Sequence, residues 1–120
     1  MEPMLMVRTA AVLLAIAALG GMALAAIRFD GTQQPPAWLA MIHGLLAAAA
    51  ITLLTYAWFT KGLSLAASAA LVLFLIAAAG GAYLNLNFHW KQLLLPKGLI
   101  VGHALGAIAG FVLLLVAVFN

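Results

Sequence analysis

The chain has 120 residues, of which 68% are hydrophobic and only 6% charged, with a formal net charge of +3 and no cysteine. So few charged side chains cannot clothe a water-soluble domain of this size, so the solvent for most of the surface is lipid. The slight basic excess is no signature of nucleic-acid binding, and the lack of cysteine excludes disulfides, thiolate metal sites and covalently attached c-type haem.

Four apolar runs, at about 5–28, 37–59, 64–87 and 98–119, are each long enough to cross a hydrocarbon core of about 30 Å. Each is expected to be helical, because backbone in lipid must satisfy its own hydrogen bonds. The first run also carries signal-peptide features, with Arg8 ahead of an apolar core and Ala23-Leu24-Ala25 resembling a cleavage site. Its length suits a span, and we take it as the first transmembrane helix. Phe29-Asp30-Gly31-Thr32-Gln33-Gln34-Pro35-Pro36 is the strongest break in the chain, and Thr60-Lys61-Gly62 forms a tight polar turn. The last joint runs from Asn87 to Gly98, with Pro96 suited to the first turn of the fourth helix. Trp38, Trp58 and Trp90 fall near helix ends, as interfacial aromatics do. The expected fold is all-α: one membrane domain over 1–120, built as a four-helix transmembrane bundle.

Sliding the chain against itself by half its length, without gaps, leaves 20 of 60 positions identical. Matches of Ala and Leu carry little weight, since apolar helices imitate one another. Gly20-Gly21 on Gly80-Gly81, Pro36 on Pro96 and His43 on His103 carry much more. The pattern reads as a tandem two-helix repeat, 1–60 and 61–120. Each unit crosses the membrane twice, so the copies share one orientation and a pseudo-two-fold axis along the membrane normal is expected.

His43 and His103 each lie seven residues past a proline, about 10 Å along their helices at 1.5 Å per residue. The glycine pairs precede the ends of helices 1 and 3 by a similar distance. One layer of the bundle is therefore expected to hold two histidines and four glycines. Gly106, one turn beyond His103, adds to the low side-chain volume there. Two imidazoles and little bulk suit a flat cofactor, and haem iron accepts an imidazole on each axial face. In that reading His43 and His103 ligate the iron. Gly20, Gly21, Gly80, Gly81 and Gly106 let the macrocycle edge approach the backbone. Trp38 and Lys97, with Arg28, Lys91 and Trp90, sit where propionates would emerge. For any one of these features alone, close helix packing and a histidine bonded between helices are the plainer explanation. Their coincidence at one depth favours the cofactor.

This plan resembles the small membrane-embedded b-type cytochromes, four-helix bundles that hold non-covalent haem between histidines on different helices. The resemblance rests on four spans, paired histidines and glycines at their level. It implies an electron carrier or redox subunit rather than a stand-alone enzyme. Cytochrome b561-like proteins usually carry two haems, one toward each surface. Here all three histidines map to one side, so one haem b is expected, with transfer completed by a partner or a diffusing quinone. Other membrane subunits or further copies of the chain are the expected partners.

His89 has Phe29 as its repeat counterpart and sits beside Trp90 and Lys91, which marks it as a joint histidine rather than an axial ligand. Tyr83, Asn85 and Asn87 replace Ala23, Ala25 and Ile27 of the first half, either to stabilise the last joint or to line a quinone headgroup pocket. No acidic residue lies deep in a span, which argues against a proton-coupled exporter. Arg8 and Lys61 balance Arg28, Lys91 and Lys97 in the positive-inside count; both termini are expected on one side, and the signal-like start favours the cytoplasmic side of a bacterial inner membrane. The second reading is a cofactor-free accessory or assembly subunit that packs against larger membrane proteins.

Overall fold

The computed structural model describes residues 2–120; Met1, where the expected domain begins, lies outside them. Among the described residues the chain forms four α-helices: α1 (Pro3–Asp30), α2 (Ala37–Thr60), α3 (Leu65–Leu84) and α4 (Lys97–Phe119). All four are long and apolar enough to cross a membrane, taking α3 together with the turn that extends it to His89. The bundle is 44 Å long and 19 Å across in each other direction, a length close to a bilayer with its headgroups, about 40–45 Å.

Hydropathy placed the spans, and the ends moved by a few residues. α1 runs on through Arg28, Phe29 and Asp30, because a helix at the interface continues as long as its backbone bonds close, whatever its side chains. Pro36 and Pro96 stand one residue before their helices, in extended conformation at φ −66° and −64°, and their carbonyls accept the first helical bonds. Ser64 caps α3 by accepting from the Ala67 N–H. Gly62 makes the preceding turn at φ +77°, a conformation that favours glycine. The larger departure is at the end of α3. There the winding loosens into one π turn, Asn85–His89, instead of stopping at residue 87. The chain leaves it through Gln92 at φ +58°, with the Gln92 and Leu93 N–H groups donating to the carbonyls of His89 and Phe88.

In lipid the hydrophobic effect does not press helices together, so close packing must hold the bundle. Alanine dominates the interior for that reason: Ala10, Ala17, Ala50, Ala57, Ala67, Ala70 and Ala77 are all buried. Larger apolar side chains such as Leu19, Leu45, Ile76, Leu105 and Phe119 face outward. Among the described residues no polar or charged residue is fully buried. α1 packs most extensively on α2, and α3 on α4, while α1–α4 and α2–α3 contacts close the ring more lightly. His43 on α2 and His103 on α4 therefore project from opposite corners. Pro3, Gly62–Ser64 and Asn120 line one recess, so both termini and the middle joint share one end of the bundle.

Positions half a chain apart are buried in pairs. Val7 and Ala67, Ala10 and Ala70, Leu14 and Phe74, Ala17 and Ala77, Leu54 and Leu114, and Ala57 and Ala117 are all interior. The two halves thus fill the core with corresponding residues, and differ in the volumes they place there.

Candidate functional site

The Nδ1 atom of His43 lies 2.7 Å from the Ala17 carbonyl oxygen on α1. The Nδ1 atom of His103 lies 2.7 Å from the Ala77 carbonyl oxygen on α3. A carbonyl can only accept, so each Nδ1 carries the proton and donates it. That fixes one tautomer at both rings and leaves each Nε2 with a lone pair. Both bonds join the two helices of one hairpin across 26 residues. Neither ring is fully buried, and among the described residues neither Nε2 meets a hydrogen-bond partner.

The rings approach each other between α2 and α4, toward the end of the bundle where those helices begin. Their centroids are 6.2 Å apart and their planes stand at 81°. Two imidazoles bound to one metal through bonds of about 2 Å place their centres roughly 6 Å apart, so the separation suits a shared metal. A donor N–H held by a backbone carbonyl is also the usual outer support of a ligating histidine, raising its basicity and fixing its plane. No group of three or more His, Cys, Asp or Glu side chains gathers among the described residues. A free ion bound here would have two protein ligands, short of the tetrahedral set zinc takes in structural sites. Haem iron brings four equatorial nitrogens and needs only two more ligands. The donor set fits haem.

The glycines lie where the sequence places them, and their contacts are specific. A Cβ added at Gly21 would stand 2.9 Å from Cε1 of His43, and one at Gly81 would stand 3.0 Å from Cε1 of His103. The space of the missing side chains is thus taken by the imidazoles themselves. Gly20 and Gly80 are looser: added Cβ atoms would meet His43 Cβ at 3.5 Å and His103 Nδ1 at 3.9 Å, ordinary contacts. Gly106 faces Ala77, whose carbonyl holds His103; the nearest approach of an added Cβ is 3.9 Å to the Ala77 Cβ. Trp38 is largely exposed at the start of α2, and the Lys97 Nζ sits 5.4 Å above the Phe29 ring at the start of α4. Both lie at the histidine-bearing end of the bundle, more than one helical turn from the histidines along their own helices.

His89 is not part of the pair. Its Nε2–H donates to the Pro35 carbonyl at 2.7 Å, reaching from the last joint to the first. Arg28 Nε donates to the Leu95 carbonyl at 2.9 Å, and Gln34 Nε2 to the Leu93 carbonyl at 2.9 Å. These three bonds clasp the two joints together at the end nearest the histidines. Tyr83 and Asn87 join this region locally: Asn87 Nδ2 donates to the Tyr83 carbonyl, and the Tyr83 ring meets Phe88 edge-on. His89→Ala should leave the Pro35 carbonyl without its donor, at a cost of about 1–3 kcal/mol if water cannot reach it. The expected result is a lower thermal midpoint in detergent with the spectrum of any bound haem unchanged. A changed axial-ligand spectrum would contradict this placement.

Sequence reasoning found the histidines and glycines but not the Ala17 and Ala77 carbonyls, because a backbone acceptor has no residue-type signal. Their only trace is the equal spacing to His43 and His103. The chain was compared with protein-family models, curated proteins and solved structures, and nothing matches it.

Proposed function

We propose that this protein is a membrane electron carrier that holds one haem b between His43 and His103. The observation that carries the reading is the paired tautomer: both Nδ1–H groups are committed to carbonyls, and both Nε2 lone pairs are left for a ligand between rings 6.2 Å apart. When bound, such a haem would pass single electrons by alternating between ferric and ferrous iron. The chain's own part is to fix the tautomer and the separation of two basic nitrogens. The corresponding burial of the two halves supports a tandem repeat with a pseudo-two-fold axis through that layer. Under that symmetry neither face of the site is privileged. Arg28, Lys91 and Lys97 belong to the same end of the bundle and suit propionate groups; donor and acceptor are then a partner subunit or a diffusing quinone. The termini are assigned to the cytoplasmic side of a bacterial inner membrane, with the histidine layer toward the opposite face.

A cofactor-free packing subunit is the second reading. The observation favouring it is the same pair of carbonyl bonds, which also lets a histidine join two helices with nothing else bound. Titrating detergent-solubilised, haem-free protein with haemin separates the two. The first reading expects saturation at one haem per chain with a low-spin spectrum. Binding that never saturates, or that persists unchanged in a protein lacking both His43 and His103, supports the packing subunit.

A further inference from the structure

Gly21 and Gly81 are the most tightly faced glycines among the described residues. Each faces the Cε1 edge of one imidazole, next to the Nε2 that is free, and an added Cβ would fall at or inside the closest approach real side chains make. The neighbouring atom of each ring, Nδ1, is pinned by its 2.7 Å bond to the carbonyl of Ala17 or Ala77. A ring held at Nδ1 and blocked beside Cε1 has little freedom to rotate about its Cβ–Cγ bond. The result is a pair of planes at 81°.

We infer that Gly21 and Gly81 are positioning residues that hold the two imidazole planes close to perpendicular, and that this crossed arrangement sets the electronic character of a haem bound between them. The inference rests on the haem reading above. Its consequence follows from orbital symmetry. An imidazole donates π density into the metal d orbital perpendicular to its own plane. Parallel rings raise one orbital of the dxz, dyz pair and split it. Crossed rings raise both alike and leave the pair nearly degenerate. Near-degeneracy preserves orbital angular momentum, so ferric low-spin iron shows a single steep low-field resonance rather than a spread rhombic set of three. Losing the crossed arrangement also changes the relative stability of ferric and ferrous iron, and so the midpoint potential.

The test is low-temperature electron paramagnetic resonance of the oxidised, haem-loaded full chain, with redox titration of the same samples. Wild-type protein should give the single low-field feature. Gly21→Ala and Gly81→Ala should each move it toward a rhombic spectrum and shift the potential. Gly44→Ala and Gly102→Ala are the controls, since each adds a methyl to a histidine-bearing helix where a Cβ would meet nothing within 4 Å; both should match wild type. General helix stabilisation by alanine would move all four variants alike. A rhombic wild-type spectrum overturns the inference, as does a Gly44→Ala effect equal to that of Gly21→Ala. The wild-type spectrum needs no substitution, so a variant that fails to accumulate does not shield the proposal. A protein that binds haem through both histidines yet fails these tests refutes the glycine role alone; a protein that binds no haem refutes the functional reading beneath it.

Discussion

Replacing His43 or His103 with alanine should abolish low-spin haem binding. Among the described residues the two rings are the only imidazoles in their layer, and each is supplied by a different hairpin. A haem held by only one of the two imidazoles should bind more weakly by at least the upper end of the about 10–100-fold that losing mere outer-shell support costs. Any haem that remains should be high-spin, read from the absorption spectrum. The two variants should behave alike, because Ala17 and Ala77 support the two rings with bonds of the same length. The fold should survive, since neither histidine belongs to the buried apolar core. Helical circular dichroism should be unchanged while colour is lost. A fully coloured His43→Ala protein with an unaltered spectrum would remove His43 from the site.

The second large effect lies in the core, where the halves differ. Gly110 meets Phe74: a Cβ added at 110 would stand 3.1–3.3 Å from three atoms of that ring. Phe74 is only 4% exposed and sits within the central apolar cluster, so it has nowhere to move. The first half carries Ala50 and Leu14 at the corresponding positions, a larger residue opposite a smaller one. The volumes exchange across the repeat. Gly110→Leu should therefore be severely disruptive, at the upper end of the roughly 1–3 kcal/mol that overpacking costs. Gly110→Ala should be milder. Combined with Phe74→Leu it recreates the first-half pair and should be less destabilising than the two single changes summed, a coupling of about 0.5–3 kcal/mol. Unfolding of detergent-solubilised protein by heat or by added SDS measures each. Strict additivity would mean that residues 74 and 110 do not share one packing volume.

How much of this could be read from the chain depends on the kind of force involved. The four spans were legible because hydropathy and length set them almost alone in lipid. Their ends were not: Asp30 is helical despite its charge, and the π turn at Asn85–His89 has no local signature in Asn-Leu-Asn-Phe-His. The histidine layer was legible because two prolines and two glycine pairs gave the same register twice. What Gly21 and Gly81 do was only half legible. Sequence marked them as small, while the structure puts the imidazoles, rather than open space, against them. Ala17, Ala77 and the clasp from Arg28, Gln34 and His89 were invisible, since each depends on a backbone carbonyl brought near by tertiary folding.

The central claim is that the two Nε2 atoms share one haem iron. The most direct measurement is the absorption spectrum of gently purified protein from haem-replete cells, first oxidised and then reduced with dithionite. A sharp α band with a shifted Soret band on reduction, the signature of bis-histidine haem b, is the expected result. A colourless protein with intact helical circular dichroism would contradict the account and leave His43 and His103 as interhelical ties in a packing subunit.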